Sequence, residues 1–163
     1  MKKTARQLPA SQEARPVLDS LRRLVRGLHL YARHCESQLG VSAAQLFALR
    51  KVQEGGCLSL QELAQATLTD LSSVSVVAER LRAKGLLLRR QAADDRRRAE
   101  LSVSPTGKAL LLRSADPVQV RIVRSLQALP PARRRALERD LARLVKDVGL
   151  DGRPAPMLFE DEA

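Results

Sequence analysis

Apolar residues recur early in the chain at alternating steps of three and four: Val17, Leu18, Leu21, Leu24, Val25, Leu28, Tyr31, Ala32, Cys35 and Leu39. That rhythm is one face of an α-helix of roughly six turns. It begins near Pro16, a residue suited to a first helical turn, and stops at Gly40. A stripe this long exceeds what one small domain buries, so part of it is left to face a partner chain.

Two further helix starts share one construction. Ser42 with Gln45 forms a capping box flanked by Val41 and Leu46, and Ser59 with Glu62 forms another flanked by Leu58 and Leu63. The first predicts a helix through about Gln53, ended by Gly55-Gly56, and the second a short helix through about Ala66. After the polar break Thr67-Leu68-Thr69-Asp70, Thr69 or Asp70 caps a helix that runs to Lys84, with Gly85 as its terminator. Val74, Val77, Ala78 and Leu81 mark its inward side. Leu71, Ser72, Ser73, Val76 and Arg80 are then turned partly or wholly outward.

Past Gly85 the period changes. Leu86 to Arg90 and Ala99 to Val103 read as two short strands, with Ala92 to Arg98 as the turn of a hairpin. Ser104-Pro105 opens a helix that continues to about Leu129, kinked or restarted at Pro117 with Asp116 as a possible new cap. Pro130-Pro131 opens the last helix, whose Leu137, Leu141, Leu144, Val145 and Val148 share a face before Gly149.

These elements divide the chain into five parts. Residues 1–15 read as a flexible basic arm, 16–40 as an N-terminal helix and 41–104 as a lobe of three helices and a hairpin. Residues 105–150 read as C-terminal helices, and 151–163, with Met157, Leu158 and Phe159, as a loosely ordered acidic tail. The fold expected is mostly α with a small β-hairpin wing, a winged helix-turn-helix. With aromatics at 2% and no Trp, the core has to be built from Leu, Val and Ala.

The formal net charge of +11 favours a polyanionic partner, but its distribution does not locate one. Residues 1–35 hold eight basic and two acidic side chains, whereas residues 36–85 hold five of each. No apolar run approaches a membrane span and no signal-peptide core follows Met1, so a cytoplasmic protein without membrane contact is expected. With two His, no Gly-rich phosphate loop and no metal-ligand spacing, nothing suggests catalytic residues, a metal or a cofactor. Asp94-Asp95, at an arginine-rich tip, read as salt-bridged rather than catalytic.

Helix, short helix, turn, helix and hairpin, in that order, match a major groove about 12 Å wide that admits one helix. The helix over 70–84, roughly 22 Å long, presents one end to the bases. Ser72, Ser73, Ser75, Val76 and Arg80 are its candidate DNA contacts. The hairpin tip adds Asp95, Arg96, Arg97 and Arg98 for the minor groove, with Asp95 holding Arg97 extended. Against this, an arginine run is commonly just a solvated turn. Arg133, Arg134 and Arg135, which lack such context, read as helix surface.

Leu81, Gly85-Leu86-Leu87, Asp95-Arg96-Arg97, Ser104 and Gly107 fall at the spacings of the MarR family signature, and the chain resembles that family over residues 17–148. The resemblance implies a homodimer in which 16–40 is an N-terminal dimerisation helix, 105–150 are C-terminal dimerisation helices that interlock with it, and 41–104 is the DNA-binding lobe, the two winged lobes straddling a pseudo-palindromic operator in double-stranded DNA. It also implies a repressor released by a small aromatic or phenolic effector or by thiol oxidation. Tyr31, His34 and Phe47 are the candidate effector contacts, although each also suits plain packing. Cys35 reads as a core residue and Cys57 as a turn residue rather than as redox sensors. One departure stands out: where family members commonly carry Arg, this chain has Leu71 and Val76. Guanine readout by arginine is absent there, which leaves Ser72, Ser73 and a Val76 methyl contact to thymine. The alternative is a basic helical protein that binds RNA or another protein without operator recognition.

Overall fold

A computed structural model describes residues 14–91, 99–152 and 157. The long stripe folds as α1 (Ala14–His34), which passes without a break into a π-helical turn over Cys35–Leu39. Gly40, at φ 67°, ends it in the left-handed region that a side chain would disfavour.

Both capping boxes close as the sequence requires. Ser42 accepts from the Gln45 amide at the start of α2 (Ala43–Gly55), and Ser59 accepts from the Glu62 amide at the start of α3 (Leu60–Thr67). In each, the third residue's side chain returns to the cap's own N–H, so two orphan donors are satisfied locally. Asp70 is the cap of α4 (Leu71–Ala83), accepting from the Ser73 amide at 2.9 Å, so of the two candidates Asp70 takes the role.

The hairpin forms from β2 (Leu87–Gln91) and β3 (Ala99–Val103), antiparallel, with Leu87 opposite Val103 and Gln91 opposite Ala99. A third strand, β1 (Cys57–Leu58), pairs with the other edge of β3, giving the order β1-β3-β2. Cys57 thus lies in a strand rather than in the expected turn. Two residues are too few to show an alternating pattern, and it is the β3 edge that makes them a strand.

Leu46, Leu49, Val52, Leu63, Val74, Val77, Leu81 and Leu87 form the centre of the core, contributed by α2, α3, α4 and β2. At about 1.5–3 kcal/mol for each fully buried aliphatic side chain, this cluster is what holds the lobe together. It is built from Leu, Val and Ala with Phe47 as its aromatic member.

Of the two alternatives at Pro117, kink or restart, the chain takes the restart. α5 (Pro105–Arg113) ends at Ser114 in extended backbone, and α6 (Val118–Ala128) starts beyond Pro117. Proline has no N–H to donate and pushes its predecessor out of helical geometry, so the ladder cannot cross it. Asp116 is not the new cap. Pro117 occupies that position, and the Asp116 carboxylate instead lies 3.4 Å from Arg124 and 4.0 Å from Arg50. Arg134, on α7 (Pro131–Asp147), holds the next corner by donating to the Leu126, Gln127 and Leu129 carbonyls. Met157 is buried with the core set.

Candidate nucleic-acid interface

α4 packs its Val74, Val77, Ala78 and Leu81 side against the lobe and leaves Leu71, Ser72, Ser75 and Val76 exposed. Arg80 is half-buried and already engaged. Ser73 departs from the outward placement read from the sequence. Its side chain is buried and its hydroxyl donates to Asp70 Oδ2 at 2.8 Å. The exposed Ser72 hydroxyl also donates to Asp70, through Oδ1. Together with the Ser73 amide, these bonds hold the Asp70 carboxyl well below the usual carboxylate range, the Ser72 hydroxyl having the largest effect.

This network fixes the chemistry at the tip of α4. With the Ser72 proton committed to Asp70, what the serine shows solvent is lone pairs. Beside it stands a carboxylate. The tip therefore suits amino-group donors and is poorly suited to phosphate. Among the groups exposed in a major groove, the matching donors are adenine N6 and cytosine N4. On the same exposed side, Leu71 and Val76 offer methyl groups in place of arginine.

Signature residues near the wing act as a joint. Ser104 Oγ donates to the Gly85 carbonyl at 2.7 Å and accepts from the Gly107 amide at 2.9 Å. A side chain at Gly107 would place its Cβ 2.4 Å from the Leu86 carbonyl oxygen, so only glycine lets α5 lie this close to the backbone that enters β2. Gly85, at φ 68°, makes the turn from α4 into the sheet. The wing candidates Asp95, Arg96, Arg97 and Arg98 lie outside the described residues, while Arg89 and Arg90 are exposed on the strand that leads to them.

The three effector candidates occupy different environments. Phe47 is in the lobe core with Lys51 Nζ 5.8 Å from its ring centroid, and His34 is exposed. Tyr31 is half-buried, its hydroxyl shut away from solvent, and burial raises its pKa above the usual phenol value. Cys35 beside it is fully buried, and burial pushes its thiol up, opposite to the thiolate a redox sensor needs. Among the described residues no cluster of three or more His, Cys, Asp or Glu could hold a metal, and no helix is long and apolar enough to cross a membrane.

Asp70, Leu68 and Lys84 are what sequence reasoning left underused. Asp70 was visible as a cap but not as the organiser of two serines. Leu68, in the left-handed region at φ 58° and 72% exposed, had no signal of its own. It joins Val123, Leu126, Leu137 and Leu141 in lining one apolar groove between the lobe and the C-terminal helices.

A three-helix lobe with a two-stranded hairpin against its last helix is a winged helix-turn-helix. The sequence model of the MarR family matches residues 41–99. The HTH-type transcriptional repressor MdtR of Bacillus subtilis is 37% identical over 68 residues, spanning 42% of this chain and 44% of that repressor's length. Among solved structures, the YusO protein from Bacillus subtilis matches with TM-score 0.53 and 25% identity, over 85% of this chain and 99% of that one. BpsR of Bordetella bronchiseptica, whose DNA binding is regulated by 6-hydroxynicotinic acid, matches with TM-score 0.54 and 28% identity, over 80% and 93%. Residues 41–99 thus match the MarR family, within a winged-helix lobe, in a chain whose fold follows those two solved structures along most of its length.

Proposed function

We propose that this protein is a cytoplasmic transcriptional repressor that binds a pseudo-palindromic DNA operator as a homodimer. The observation that carries this reading is the outward side of α4, where Ser72, Ser75, Val76 and Leu71 project from a lobe whose core needs none of them. Ser72 accepts from adenine or cytosine amino groups, and Val76 packs on thymine methyls. Arg96, Arg97 and Arg98, which follow β2 in sequence, add backbone and minor-groove attraction. Two-fold symmetry spaces the half-sites about one helical turn apart. Dimerisation is supported by the apolar sides that α1 and α7 leave exposed, Leu24 and Val25 on one, Leu141 and Leu144 on the other.

Release by a small aromatic effector has its support in BpsR, regulated by 6-hydroxynicotinic acid. Of the three candidate contacts, Tyr31 is the one favoured in this chain, with a ring at the lobe boundary and a hydroxyl hidden from solvent.

The test is selection of binding duplexes from a randomised library at physiological salt, against excess random duplex. A converged two-fold sequence is expected. A protein that is merely cationic loses affinity equally for all duplexes as salt rises, and convergence would then fail. On the selected duplex, Val76→Asp is expected to weaken binding by tenfold or more, roughly the cost of losing one base contact and adding a charge beside phosphates. Undiminished binding would remove α4 from the interface.

A further inference from the structure

Lys84 closes α4 and reaches across 44 residues of sequence to the end of α1. Its ammonium donates to the Gly40 carbonyl at 2.7 Å and to Gln45 Oε1 at 3.1 Å. Gly40 is the left-handed stop after the π-helical turn, and Gln45 Oε1 also accepts from the Ser42 amide at 3.2 Å. One cation thus ties three things together: the carbonyl end of the α1 rod, the capping box of α2, and the far end of the recognition helix. The site suits a cation, because a helix C-terminus presents carbonyl oxygens and the negative end of its dipole. The joint it clamps is also irregular, since the π turn over Cys35–Leu39 interrupts the α ladder immediately before Gly40.

From this geometry we propose that Lys84 is a positioning residue for operator recognition, a latch that fixes the angle between the dimerisation helix α1 and the recognition helix α4. The proposal rests on the dimeric DNA-binding reading above. A rod of 21 residues is about 32 Å long, so a tilt of about 5° at the joint moves its far end by about 3 Å. That is close to the 3.4 Å rise of one base pair along a DNA strand. In a two-fold dimer, α1 of each protomer sets where the other protomer's lobe stands. Looseness at Lys84 is therefore read out as loss of half-site spacing, not as loss of contact with either half-site.

The test uses the full-length protein and the duplex that the wild type selects from a randomised 30-base-pair library. To this are added forms with one base pair inserted or removed between the half-sites, and a single half-site. Lys84→Met keeps the aliphatic stem and deletes the ammonium. It is expected to bind the single half-site as wild type does and the full duplex about five- to tenfold more weakly. Its preference for the selected spacing over the altered ones should flatten, and Lys84→Arg should restore that preference. Circular dichroism and sedimentation confirm that each variant is folded and dimeric, and amide exchange at Gly40 and Gly85 gives a second reading of the joint in the absence of DNA. A folded, dimeric Lys84→Met that discriminates spacing as sharply as wild type overturns the latch alone. A library that never converges overturns the DNA reading and the latch with it.

Discussion

The winged lobe and the terminal helices handle their apolar residues in opposite ways. In the lobe, α2 buries eight residues, among them Leu46, Leu49 and Val52, and every helix start is closed by a side-chain cap. α7 buries none, and Leu137, Leu141, Leu144, Val145 and Val148 all stand exposed along one side of it. α1 is similar over most of its length, with Val17, Leu24 and Val25 exposed and burial reached at Ala32 and Cys35, where it meets the lobe. A single chain therefore completes the lobe's core but not that of the helices. Exposed apolar rows of this length support the proposed dimer.

The sharpest way to break that contrast is on α7. Replacing Leu137 and Leu141 by Asp removes four leucines from a two-fold interface, at about 2 kcal/mol each. Sedimentation at micromolar concentration is expected to show a monomer with unchanged far-ultraviolet dichroism and little affinity for operator duplex. An unaltered dimer would mean that α7 is a solvated helix.

The lobe should fail differently, by unfolding. Gly107→Ala drives a methyl against the Leu86 carbonyl and Val103 Cγ1, which lies 2.8 Å from the ideal Cβ position. Overpacking of that kind costs about 1–3 kcal/mol, readable in urea unfolding. Wild-type stability would show that α5 slides away freely.

Ser59→Ala opens the α3 capping box and is expected to cost about 1 kcal/mol in the same assay, with the oligomeric state unchanged. A shift in dimer affinity would mean that lobe and helices are not separable.

The smallest effect concerns acid. Because the Asp70 carboxyl is held below its unfolded value by Ser72 and Ser73, its contribution is full above about pH 4 and fades as pH falls through the lower folded value. Asn at this position still caps but does not titrate. The stability difference between wild type and Asp70→Asn should therefore shrink on acidification below pH 4, and a constant difference would argue against the network at the tip of α4.

Much of this contrast was legible along the chain. The boxes at Ser42 and Ser59, the cap at Asp70 and the stops at Gly40, Gly85 and Gly149 each declare themselves within four residues. Other features were not legible because their causes lie far apart in sequence. β1 exists because β3 offers an edge to Cys57 and Leu58. Ser73 looked like a base reader by helical phase, but its hydroxyl turned to the carboxylate three positions earlier. Tyr31, His34 and Phe47, grouped by their neighbouring helices, went to a boundary, to solvent and to the core.

The sequence by itself determined the starts of α2, α3 and α4, the inward side of α4 and the presence of a hairpin after Gly85. Those follow from caps, terminators and periodicity that act over one turn or one strand. Only the tertiary structure decided which polar groups on those elements remain available. It spent Ser73 and half of Ser72 on Asp70, and Ser104 on Gly85, and it carried Lys84 across 44 residues to Gly40. A hydrogen bond between distant segments depends on where packing sets them, and no local pattern carries that information.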